Sequence, residues 1–287
     1  MVKVIEAEKI QKKFAEIINV FVNSFKDNDI FSEDKIILEI LLLKISSNVD
    51  AANILCTNRR PYEAKIIIRS AFESQVLLEF LIHHPEKINE YKYETQISNF
   101  KDCFALYKRK FMSENIISKC FDQLDKNLQE ELLTVKKGNT SKIFRLDLIE
   151  KNLRNRKFKF QDIRKLIDIL RKIKSPVAEM LYLNLFDIYG RNSQISHGEW
   201  GPVYKYFVEK SNDKKEHEEI IDCFRQLIYI ISYTRESIKQ LNIISNNIEL
   251  RDKIIDFCEY TNYNSLLESM KKQIKPTSDI LEIITYN

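Results

Sequence analysis

Glycine is nearly missing from this 287-residue chain: there are four, with five prolines and one tryptophan. So few turn-formers leave few places for the backbone to break. With Ile, Leu, Lys, Glu and Asn plentiful, this is the composition of a helical protein. The scarcity also removes function classes. No Gly-rich phosphate loop is present, which excludes the P-loop and Rossmann nucleotide binders, and no Gly-x-Ser-x-Gly elbow displays a hydrolase nucleophile. Cysteine is scattered: Cys56, Cys103, Cys120, Cys223 and Cys258 stand singly, with no Cys-x-x-Cys pair. That pattern fits a reducing cytoplasm and argues against structural zinc, so no metal or cofactor is expected. Long apolar runs are lacking too. The longest, 36–45, is interrupted by Glu39 and Lys44, short of the ~20 residues of a membrane span. The first residues, MVKVIEAEKIQKKF, carry charge where a signal peptide needs an apolar core. The expectation is a cytoplasmic protein with no membrane partner. Nor does one sign of charge dominate: 46 Lys and Arg against 42 Asp and Glu leave +4, which permits contact with nucleic acid without arguing for it.

What is present is the helical period. Apolar residues recur at three- and four-residue spacing almost throughout. Helices are expected over 4–25, from a cap at Ser32 to about 56, over 61–84 with Pro61 in the first turn, from Pro85 to about 112, and over 114–136. KKGNTSK (136–142) is the clearest turn. A basic stretch, 142–174, precedes a helix of about 177–197, then a loop with a short strand or helix at 203–208. A long helix at 216–244 and short ones finish the chain. The fold expected is all-α, a multi-helix bundle with additional C-terminal helices: a core domain over 1–209, and helices of 210–287 packed on it.

Two polar groupings interrupt this apolar pattern. The helix PYEAKIIIRSAFESQVLLEFLIHHP is apolar around most of its circumference and should be central. Lys65, Arg69 and Glu73 step along it at four-residue intervals, and Arg69 with Glu73 have ion-pair spacing. The pair either fixes helix packing or faces a cleft as a functional group. The second grouping is GRNSQISHGEWG, 190–201, with three of the four glycines and the sole tryptophan. Tyr189, Ser193 and His197 fall at i, i+4 and i+8 on one helical face beside Ser196. An imidazole there could exchange protons near neutrality, or simply cap the helix end. His83 and His84, before Pro85, read as a helix cap, and His217 in KKEHEE as solvated. In the basic stretch, KNLRNRKFKF interleaves cations with Phe158 and Phe160, which suits phosphate contact with base stacking.

These residues carry a resemblance. RRPYEAKIIIRSAFESQVLLEFLIHHPEKINEYKY (59–93), followed by YGRNSQISHGEW (189–200), is similar to the bacterial helical family DUF5677. The resemblance implies an Arg-Ser-x-x-Glu core, matched by Arg69, Ser70 and Glu73, and a later Tyr-x-x-x-Ser-x-x-x-His signature, matched by Tyr189, Ser193 and His197. It spans roughly 45–210 and implies a site without naming a reaction. Arg191 and Asn192, with His197 six residues beyond the arginine, also resemble the Arg-Asn…His motif of HEPN ribonucleases, small helical domains of toxin–antitoxin and antiviral systems. That second resemblance implies a metal-independent RNA endonuclease assembled as a homodimer. His197, Arg191, Arg69 and Glu73 would be its catalytic groups, and Tyr189, Asn192, Ser193 and Ser196 its substrate contacts. The alternative is a non-catalytic interaction or small-molecule sensing module whose polar residues form a buried network.

Overall fold

The computed structural model describes residues 36–135, 144–155, 160, 162–173, 175–196, 213–241 and 247–260, with some helical positions between Lys9 and Phe21. Among these residues every regular element is a helix and there is no strand. The chain is all-α. The expected 203–208 element and the turn at 136–142 lie outside the described residues.

The helices are α1 (Ile36–Thr57), α2 (Pro61–His83), α3 (Ile88–Lys108), α4 (Glu114–Asp122), α5 (Lys126–Leu132), α6 (Leu146–Asn155), α7 (Ile163–Arg171), α8 (Pro176–Asn184), α9 (Arg191–Ser196), α10 (Asp213–Gln240) and α11 (Asn247–Tyr260). A single 3-10 turn, Pro85–Lys87, precedes α3. One helix was expected over 114–136; two form, because Asp125 accepts the backbone N–H of Asn127 at 2.9 Å and caps a new start.

The residues divide into two compact units, one made of 1–83 with 163–287 and the other of 84–162. This division does not follow a boundary at 209. The reason is α10: Phe224, Leu227, Ile228 and Ile231 are buried, and the helix packs along α2 and α1 at the heart of the first unit. The apolar helix α2 is its hub, touching α1, α7, α8, α9 and α10. In α1, buried Leu38, Leu41, Leu42, Ile45, Val49, Ala52 and Cys56 keep the three-four spacing that packing on α2 requires. By length and composition α1 is apolar enough to cross a membrane, a test that the core helix of a packed protein also passes. The α1–α2 turn is closed by Arg59 in the left-handed region (φ 59°), with the Arg60 N–H returning to the Leu55 carbonyl at 2.8 Å.

The second unit gathers Ile97, Phe100 and Phe104 of α3, Ile117 and Phe121 of α4, Leu128 and Leu132 of α5, and Ile149 and Leu153 of α6 into its own core. Phe160, expected to stack on bases, is instead buried here. Its ring meets Tyr91 edge-on at 5.4 Å and its N–H donates to Glu94 at 2.8 Å. Phe158 lies outside the described residues.

Candidate functional site

Helix 176–196 carries the second polar motif and is not one regular helix. Ser175 caps it, Pro176 opens it, and Leu185–Gly190 form a π-helical stretch between α8 and α9. Each residue in such wide turns advances less about the axis than the ~100° of an α-helix. Six of them lag by about one residue's rotation, which sets Asn192 directly in line with Ile188, one turn before it, and both are buried. Gly190 sits in this stretch without a left-handed φ, and a Cβ there would meet Phe186 Cδ2 at 3.5 Å, an ordinary contact. The backbone is unusual here, but glycine is not what permits it.

The buried Asn192 donates from Nδ2 to Gln226 Oε1 of α10 at 2.9 Å, and Gln226 Nε2 donates to Asp222 Oδ2 at 3.1 Å. Asp222 can only accept, which fixes the Gln226 amide and, through it, that of Asn192. The Asn192 Oδ1 is left buried without a partner among the described residues. Expected as a substrate contact, this side chain is an anchor between α9 and α10.

The charged line on α2 divides between two tasks. Lys65 is buried and pairs with Glu219 and, at 3.2 Å, with Asp222 Oδ2. Burial opposes its charge, but Cys223, Asp222 and Glu219 together overcome it and hold the ammonium above its ordinary range. Arg69 Nε donates to Glu73 Oε1 at 2.9 Å, the pair the spacing predicted. Its guanidinium carbon also stands 5.0 Å from the centre of the Tyr189 ring, at cation–π distance. Ser70, between them, accepts from Asn48 Nδ2 of α1 at 3.2 Å. The Arg-Ser-x-x-Glu helix and the tyrosine of the later signature, 120 residues apart in sequence, therefore meet.

A second series of ion pairs runs beside them. Asp187 accepts from Arg191 Nη1 and from Arg225 Nη2, both at 2.9 Å, and Arg225 also binds Asp222. Lys65, Asp222, Arg225, Asp187 and Arg191 thus alternate in sign across α2, α10, the π stretch and α9. Burial again works against the Arg225 charge, and Asp222 and Asp187 outweigh it.

Of the predicted site residues, Arg69, Glu73 and Tyr189 are brought together. Arg191 is largely exposed and held by Asp187, Ser193 is half-buried, and Asn192 is sealed. Ser196 ends α9, but its side chain lies outside the described residues, as do Gly198, Glu199, Trp200 and His197. Sequence reasoning missed Asp187, Glu219, Asp222, Arg225 and Gln226. A signal was available: Glu219, Asp222 and Gln226 recur at three- and four-residue intervals on an otherwise apolar length of α10. It also missed a buried cluster at the far end of α2. There Glu79 accepts from His83 Nε2 (3.0 Å), Ser175 (2.8 Å) and Ser237 (2.9 Å). The expected cap His83 is this carboxylate's partner, and His217 is half-buried where a solvated residue was expected. Among the described residues no group of three His, Cys, Asp or Glu could hold a metal.

Fold and site define an all-helical protein in which a cation–π contact and a series of ion pairs tie three helices together. The chain belongs to the family of unknown function DUF5677, whose model matches residues 35–217. The match stops early in α10, short of Glu219, Asp222 and Gln226. No curated protein matches the chain, and no solved structure does.

Proposed function

We propose that this chain is a metal-independent RNA endonuclease of HEPN-like character, acting in the cytosol as a homodimer in bacterial defence or growth control. The observation that carries the reading is the approach of Arg69 to Tyr189. It joins two polar motifs on one partly open surface, beside the helix whose sequence runs on into His197. In this mechanism the substrate's own 2′-hydroxyl attacks the adjacent phosphorus. A P–O2′ bond forms, the P–O5′ bond breaks, and the products are a 2′,3′-cyclic phosphate and a 5′-hydroxyl. His197 moves the proton, as general base or acid. Arg191 and Arg69 stabilise the charge that builds on the phosphorane, Glu73 orients Arg69, and Tyr189 and Ser193 hold the phosphate.

Purified protein tests this directly. RNA cleavage should persist in EDTA and fall at least about a hundredfold in His197→Ala and in Arg191→Ala, with melting temperature unchanged in His197→Ala. Unchanged RNA turnover in His197→Ala removes the proposal.

One observation favours a second reading, a non-catalytic helical interaction or sensing module. Lys65, Arg225 and Arg191 are all neutralised by carboxylates, as a network that fixes helix register would be. On that reading Arg69→Ala and Glu73→Ala lower the melting temperature and no RNA is cut by any variant.

A further inference from the structure

The helix 176–196 buries one face and leaves the opposite one uncovered. Along that open face lie Glu179, Leu183, Phe186, Arg191 and Gln194, with Tyr182 at its edge under the Arg171 guanidinium, 3.7 Å from the ring centre. Leu183 is 69% exposed and Phe186 72%, a degree of exposure for large apolar side chains at the centre of one face that marks an interaction surface. The π stretch is what makes the face continuous. A regular helix would carry Arg191 roughly a third of a turn away from Glu179, whereas the lag of the wide turns returns it to the same line.

We propose that this face is where a second copy of the chain docks, helix 176–196 packing antiparallel on its twin about a two-fold axis. The inference deepens the homodimer of the function proposed above and rests on it only for its purpose, since it needs no catalysis. The sequence along the face is self-complementary. An axis passing between Leu183 and Phe186 sets Leu183 of one copy against Phe186 of the other and the reverse, as an isologous interface demands. At ~1.5 Å per residue, Glu179 stands about 8 Å to one side of that axis and Arg191 about 8–10 Å to the other. Each glutamate therefore reaches the arginine of the opposite copy. Glu179 has no ion-pair partner among the described residues. Arg191 is 60% exposed and keeps donors to spare beyond its bond to Asp187. Apolar centre and charged ends of opposite sign are the anatomy of a specific interface. The same docking places the two Arg191 segments, and so both copies of the proposed site, along one shared helix pair.

Sedimentation velocity of the full chain tests the surface without reference to RNA. The wild type should sediment as a dimer. Leu183→Glu and Phe186→Glu should each weaken association at least about tenfold while the helical circular dichroism stays unchanged, because both side chains already face water. Glu179→Arg should weaken the dimer by setting like charges together, and Glu179→Arg with Arg191→Glu should restore it. A monomeric wild type overturns the proposal, as does a dimer indifferent to both apolar substitutions. The two proposals separate cleanly: a dimer that cuts no RNA leaves this surface standing without the nuclease, and a monomer that cuts RNA does the reverse.

Discussion

Glu79 is the residue on which α2, α8 and α10 agree. Its carboxylate is excluded from water, takes bonds from Ser175 and Ser237, and has the His83 imidazole as its third partner. Gln75, one turn before it, extends the cluster by donating to Ser237 at 2.9 Å and accepting from Thr234 at 2.7 Å. A buried polar group costs little only while every partner stays. Glu79→Ala strands several donors at once and should lower stability by about 3 kcal/mol, read from urea denaturation. The pH dependence follows from His83. Its bond to Glu79 raises its pKa above the ordinary histidine value, against a smaller opposing effect of burial. A pKa raised by folding gives stability that is fully present below about 6.5, the unfolded value, and is lost as pH rises through the higher folded value. The stability gap between wild type and His83→Ala should therefore narrow as pH rises above about 6.5. A gap that widens with pH would contradict the pairing. At the other end of α2, Lys65→Ala takes the buried cation from Glu219 and leaves Asp222 with Arg225 alone, and should cost about 2 kcal/mol in the same assay.

At the scale of the element, the π stretch governs what helix 176–196 presents. Removing one residue from it, Phe186 being the most exposed, should convert it to a regular helix with α9 still in register, because the lag of the wide turns equals one residue's rotation of ~100°. Asn192 then keeps its bond to Gln226, and the melting temperature should not fall. Gly190→Ala should likewise be tolerated. The added methyl has room, so the gain is the ordinary preference of a helix for alanine, about 0.5–1 kcal/mol. These features also mark how far the sequence could be read. The three-four period gave α2 almost to the residue and placed helix 176–196, because a buried face imposes that spacing directly. The Arg69–Glu73 pair was legible because both ends lie on one helix. The π stretch was not: one extra residue shifts the apolar pattern by an amount that ordinary scatter hides. The bond from Lys65 to Asp222 was hidden too, since spacing within a helix says nothing about which distant helix lies against it. Arg69 and Tyr189 were each singled out, and only the packing of α2 against the π stretch reveals that they touch.

Across the whole molecule, charge is divided unevenly. Between residues 84 and 162, Lys and Arg outnumber Asp and Glu by seventeen to twelve, whereas the remaining residues are close to neutral. At the end of α3, Arg109 and Lys110 stand exposed beside Phe111, a side chain 78% open to solvent, so cations and a stacking ring survive in this unit although Phe160 does not serve. If RNA is the ligand, Arg109→Ala with Lys110→Ala should weaken binding and flatten the plot of log affinity against log salt by roughly 0.7–0.9 per cation removed. An unchanged slope would mean that these two cations touch no phosphate. The inserted position of this unit also dictates an order of birth. Residues 84–162 are contiguous and can close their core as soon as they clear the ribosome, but α1 and α2 have to wait for α10, some 130 positions downstream. At roughly 5–20 residues per second that delay is on the order of ten seconds, during which the greasiest helix of the nascent chain has no lasting companion. A stalled chain ending near residue 200 should accordingly yield a protease-resistant middle and a digestible beginning, and such a chain is an obvious client for a chaperone.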